Sequence, residues 1–256
     1  MRFGALVLAS VATIAAAAPT NNVFNNVYDY NSNLEEFYCK VSSYIEQFAG
    51  DVASATCDMS NVALPAAASV LPSPTGTLKY VAIGRGTQNY TCADSTEDTV
   101  PVQIGAVANL YDASCIAANF SDLLDLLTEI VIDFALPNSS VQTPLAPANI
   151  DLLGHHYFSN STTPTFNLNT TPEKQYGIAM ASKKDAIDAP YGSIVGQNNE
   201  GYGATTWLYL TTIAGTVGDY KEVYRVNTAG GNAPTNCSGQ ASTIEIQYSA
   251  QYYFYV

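Results

Sequence analysis

Apolar positions follow two periods along the chain. Leu34, Phe37, Tyr38, Val41, Ile45 and Phe48 recur at the spacing of one helix face, Ser32 and Glu35 stand in capping-box relation, and Gly50 follows the last apolar residue. An amphipathic helix is predicted there. From Leu78 onward the period falls to two, the signature of strands whose side chains alternate between two faces. The clearest strand is the last: Ile244, Ile246, Tyr248, Ala250, Tyr252 and Phe254 share one face, opposite Glu245, Gln247, Ser249 and Gln251. That pattern predicts an antiparallel strand with one buried and one wet face. Around Trp207–Ile213 both faces are apolar, so that strand is predicted to be central. Further strands are predicted at Leu78–Gly84, Val102–Tyr111, Tyr157–Asn167, Tyr176–Ser182 and Glu222–Asn227.

One helix interrupts this series. Leu123, Leu124, Leu126, Leu127, Ile130, Val131 and Phe134 form a broad apolar face opposite Asp125, Thr128 and Glu129, and Pro137 stops the pattern. Many short strands and two helices predict a mostly β fold: a β-sandwich or a partly closed antiparallel barrel with two decorating helices.

The first residues carry a different signal. Arg2 is followed by an apolar run from Phe3 to Ala18, closed by four alanines and Pro19, which reads as a secretory signal peptide over 1–17. Ser10 and Thr13 interrupt the run, and it is shorter than the roughly 20 apolar residues of a membrane span, so no permanent anchor is expected. The organisation expected is therefore a signal peptide (1–17), a leader with one amphipathic helix and a Pro-rich loop (18–77), and a β domain (78–256). Pro65, Pro72, Pro74 and Gly76 mark that loop.

Export changes the meaning of Asn-X-Ser/Thr, which becomes a glycan acceptor. Six such sites occur, at Asn89, Asn119, Asn138, Asn160, Asn169 and Asn236. The formal charge is −13, and loss of the signal peptide removes Arg2 and no acid. The remaining basic residues are scattered (Lys40, Lys79, Arg85, Lys174, Lys183, Lys184, Lys221, Arg225), which argues against nucleic acid and anionic membrane as partners.

Three blocks carry a resemblance. They are Gly84-Arg85-Gly86-Thr87-Gln88-Asn89-Tyr90-Thr91-Cys92, Gly154-His155-His156-Tyr157-Phe158, and Arg225 to Pro234 followed by Tyr248 to Tyr255. Together they resemble the DUF3455 family, a domain of unknown function frequent in secreted fungal proteins and present in bacteria, over roughly Leu78 to Val256. Some members carry a malate dehydrogenase label, which this sequence contradicts. Gly201-Tyr202-Gly203 lacks the third glycine and the strand–helix context of a dinucleotide site. The resemblance assigns no catalytic residue, and it implies a disulfide between Cys92 and Cys237. Of the other cysteines, Cys57 has two candidate partners, Cys39 and Cys115.

Candidate chemistry is sparse. His155 and His156 are the only imidazoles; on a strand they point to opposite faces, so no shared metal site is expected. Gly192-Ser193-Ile194-Val195-Gly196 has its serine second and not third, so it is no nucleophile elbow, and the loop acids Asp151, Glu173, Asp185, Asp188 and Glu200 select no glycosidase pair. Eighteen tyrosines against one tryptophan suit both cross-strand packing and contact with sugars or proteins. His155, His156, Tyr253 and Tyr255 are the candidate ligand-binding residues, with no metal and no cofactor expected. The expectation is a secreted, N-glycosylated, extracellular or cell-wall binding or structural protein, with an extracellular glycan or protein as partner. The alternative is a secreted hydrolase of cell-wall or host polysaccharide.

Overall fold

The computed structural model describes residues 35–37, 39–41, 57–138, 143–145 and 150–256. The signal peptide and most of the first predicted helix lie outside them. Residues 35–37 and 39–41 are helical, with Phe37 against the core and Lys40 paired to Asp122 at 3.2 Å.

Among the described residues, eight antiparallel strands form a closed barrel in sequence order. They are β1 (Leu78–Thr91), β2 (Val102–Asp112), β3 (Leu152–Phe158), β4 (Pro164–Thr171), β5 (Lys174–Ile187), β6 (Trp207–Thr212), β7 (Glu222–Gly230) and β8 (Thr243–Tyr255). β8 closes on β1, with register running from Leu78↔Tyr255 to Thr91↔Thr243. Closure leaves no free sheet edge, which suits a chain with many long apolar strands. Two short helices, α1 (Ser114–Asn119) and α2 (Ser121–Val131), lie between β2 and β3 in sequence.

The alternation of side chains sorts the core into two layers. Inside the barrel, Ala82, Ala108, Ala179, Ala181 and Ala250 leave space for the rings of Phe166, Tyr248, Tyr252 and Phe254. Outside it, Val81, Ile83, Tyr111, Trp207, Tyr224, Val226, Tyr253 and Tyr255 pack beneath α1, α2 and the segment around Leu71. Trp207–Thr212 shows why both of its faces are apolar: Leu210 points inward and Trp207 outward into the helix layer. Cys57 is joined to Cys115 on α1, and Cys92 to Cys237, with Cα separations of 4.7 and 5.8 Å.

Two expectations need correction. Tyr157–Asn167 is not one strand: Asn160 Oδ1 accepts from the Thr162 backbone N–H at 2.9 Å, turning the chain between β3 and β4. The second concerns the face of β8 expected to be wet. Ser249 and Gln251 are fully buried because α2 covers them. The Ser249 hydroxyl donates to Thr128 O at 2.7 Å, and Gln251 Nε2 donates to Asp125 Oδ1 at 2.9 Å and Thr128 Oγ1 at 3.1 Å. Thr128, buried on α2 among Leu124, Leu127, Ile130 and Val131, and Asp125 at the edge of that face thus satisfy the polar groups of β8.

Candidate functional site

One end of the barrel is filled and the other is open. At the end where the β4–β5 and β6–β7 turns lie, the Tyr220 hydroxyl donates to Tyr176 O at 2.6 Å, and Tyr220, Phe254 and Phe166 stack edge to face above it. At the opposite end a cavity of about 260 Å³ opens between Gln103, Phe158, Ser161, Thr162 and Lys183, and its walls descend to His156, Phe166, Leu210, Arg225 and Tyr252. Cys92 and Cys237 tie together the loops after β1 and before β8 at this same end.

The polar groups at the base of the cavity come from alternate, inward-facing positions. Arg225 follows Val223 on the inner face of β7, and it is 5% exposed. Its Nη2 donates to Thr206 O at 2.9 Å and Thr205 Oγ1 at 3.2 Å, while Nε has no partner. Gln88, on β1, accepts from Gln103 Nε2, and its side chain lies against the Tyr248 hydroxyl behind the cavity wall. The Tyr248 and Tyr252 hydroxyls are bonded to each other at 2.7 Å, with Tyr252 beside the guanidinium.

His156 completes the base. Its ring stacks on Phe166 with centroids 4.4 Å apart, and Nδ1–H donates to Thr165 O at 3.0 Å. Burial pushes its pKa down to about 4, with the Arg225 charge acting in the same direction and the Thr165 bond opposing. The imidazole is therefore neutral at physiological pH, and the Nδ1–H bond leaves Nε2 as the lone-pair acceptor. His155 points the other way, out of the barrel, where Nδ1 bonds Asn109 Oδ1 at 3.0 Å; partial burial lowers its pKa.

Of the four ligand-binding candidates, His156 alone lines this cavity. Tyr253 and Tyr255 lie in the helix layer, where the Tyr253 hydroxyl donates to Gln251 Oε1 at 3.0 Å and Tyr255 packs on Tyr224. Tyr253 also borders a hollow of about 360 Å³ beside residues 61–65 and α2, but the acid there, Asp125, is already bonded to Asn227 and Gln251. Sequence reasoning missed Lys183, Arg225 and Tyr252 as site residues, together with Tyr248, whose hydroxyl is bonded to that of Tyr252. The inward period of β8 carried a signal for the tyrosines. Arg225 was hidden among basic residues that look scattered until the barrel closes.

The three blocks noted in the sequence meet here. Gly84 has its Cα side against Tyr252, such that a Cβ would come within 2.5 Å of Cε2. The Tyr90 hydroxyl donates to Gly231 O at 2.7 Å, and Gly231, at φ +96°, packs between Tyr248, Gln88 and Thr205. The second and third blocks thus supply walls of the cavity, and the first packs against those walls from behind. Residues 72–256 match the model of a family described as Protein of unknown function (DUF3455). The chain belongs to that family. Residues 9–72 match a second family, Protein of unknown function (DUF2990). No curated protein and no solved structure matches the chain. In this DUF3455 barrel the described sequons Asn119, Asn138 and Asn160 are exposed, whereas Asn89, Asn169 and Asn236 are half-buried.

Proposed function

We propose that the protein is a secreted, N-glycosylated extracellular binding protein that holds a small ligand in the open end of its barrel. The observation that carries this reading is the buried N–H donor Arg225 Nε, which has no acceptor and belongs to a side chain lining the 260 Å³ cavity. Buried polar groups in proteins are nearly always bonded, and an orphan donor in a cavity favours an occupant with acceptors. The remaining lining is aromatic and aliphatic, which is the mixture small-molecule sites use. The two disulfides suit an oxidising, extracellular setting.

Hydrolysis of polysaccharide is less well supported. No carboxylate lines the cavity, and the acid whose pKa burial raises, Glu129, lies on α2 outside the barrel. A fragment screen by saturation-transfer NMR on the mature protein tests the binding reading. Hits are expected on wild type and should disappear in Leu210→Trp, which fills the cavity. Hits that persist in that variant, or release of reducing ends from wall polysaccharide by the wild type, would contradict it. Secretion and glycosylation are tested separately by enzymatic deglycosylation of the extracellular protein, which should lower its mass.

A further inference from the structure

The strongest feature of the open cavity is its sign of charge. The chain carries −13, yet the cavity is lined by two cations, Arg225 and Lys183, and no carboxylate. Lys183 is exposed at the rim, while Arg225 is withdrawn to the base. A guanidinium taken out of water costs several kcal/mol unless it is paired or fully hydrogen-bonded. The second buried arginine of this protein meets that requirement: Arg85 spends its donors on Phe134 O, Gly86 O, Tyr248 O and Gln247 Oε1, with Asp133 near enough to favour its charge. Arg225 does not. Among the described residues no ion pair joins it to an acid; Thr205 and Thr206 hold its Nη2, the Tyr252 hydroxyl lies against the guanidinium, and Nε is left without an acceptor.

We propose that the ligand is a small organic carboxylate, its head group bound by Arg225 at the base of the cavity and its apolar body laid against Phe166, Phe158 and Leu208. This rests on the reading of the barrel end as a ligand site and names the class of ligand. A carboxylate accepts from a planar guanidinium through two oxygens and supplies the missing counter-charge. The aromatic and aliphatic walls separate this site from one for a bare anion, since phosphate or sulfate would leave them without a partner. A volume of about 260 Å³ lies near the small end of small-molecule sites, which makes a benzoate-sized ion the suitable probe. Lys183 at the rim adds long-range attraction that draws an anion to this end of an acidic protein.

The test uses benzoate, with benzamide as the neutral isostere and inorganic phosphate as the anion without an apolar body, all titrated into the mature protein at neutral pH. Benzoate is expected to bind saturably and to shift the Arg225 ¹⁵Nε–H resonance. Benzamide and phosphate should each bind at least about tenfold more weakly, and Arg225→Gln should weaken benzoate by about tenfold or more. Lys183→Gln, at an exposed position that does not endanger folding, should weaken it about two- to threefold and reduce its salt dependence. Should Arg225→Gln fail to fold, the Arg225 resonance in wild type still decides: no shift at saturating benzoate overturns the proposal. Benzamide binding as tightly as benzoate would overturn the carboxylate while leaving a cavity ligand in place. Phosphate binding as tightly would overturn it in favour of a bare anion site. Absence of benzoate binding together with an empty fragment screen would remove both the carboxylate and the binding reading.

Discussion

Arg85 and Arg225 are withdrawn from water on opposite sides of one barrel wall, at 0% and 5% exposure, and their surroundings treat them differently. On the helix side, every donor nitrogen of Arg85 has a carbonyl or amide oxygen, and burial lowers its pKa only to about 10. On the inner side, Arg225 is held by Thr205 and Thr206 beside Tyr252, its Nε has no acceptor, and it faces a cavity. The neighbours of Arg85 are finished in the same way: Ser249, Gln251 and Tyr253 are bonded to one another or to α2. The difference separates polar groups that finish a core from polar groups that wait for a partner.

The largest expected effect lies on the finished side. Arg85→Met strands the Phe134 and Tyr248 carbonyls in a buried layer and should cost about 3–5 kcal/mol in urea unfolding, without changing ligand affinity once refolded. A loss below about 1 kcal/mol would erase the contrast.

Next comes pH dependence from His156. Its folded pKa of about 4 lies below the unfolded value near 6.5, so the unfolded chain binds a proton that the native state refuses. Stability from this group is full above pH 6.5 and falls as pH drops toward 4, by about 3 kcal/mol. Comparison with His156→Gln isolates the effect: relative to that variant, wild type should lose about this amount between pH 7 and pH 4, and a parallel pair of curves would show His156 to be accessible to solvent protons.

A smaller effect sharpens the inner side. Gly84→Ala places a Cβ within 2.5 Å of the Tyr252 ring, displacing it toward the cavity. The expected cost is about 1–3 kcal/mol, with a weaker affinity for benzoate. Unchanged stability and affinity would mean that the ring has room elsewhere.

How far the sequence could be read follows from the same two sides. The alternation of β8 was legible because Tyr248, Ala250, Tyr252 and Phe254 all meet the barrel interior. Its other face was misread because Ser249 and Gln251 look like solvent-facing residues, and only the packing of α2 reveals that Thr128 and Asp125 pair with them. β3 and β4 were merged because apolar alternation continues across the turn that Asn160 makes. Of the cavity, His156 was legible as an unusual residue on a predicted strand. Gln103, Lys183 and Arg225 lie 42 or more residues apart in sequence, and closure of β8 on β1 is what brings their strands into one barrel.

The most direct test of the central claim, that Arg225 is held for a ligand and not for the fold, is urea unfolding of Arg225→Met with and without benzoate. Replacing an unpaired buried charge by an apolar chain of similar volume is close to neutral or stabilising, so the variant should lie within about 1 kcal/mol of wild type or above it. Benzoate should raise the wild-type unfolding free energy by about 2.7 kcal/mol at a hundred times its Kd and leave the variant unmoved. A variant as damaged as Arg85→Met, or a wild type that benzoate does not stabilise, would contradict the account.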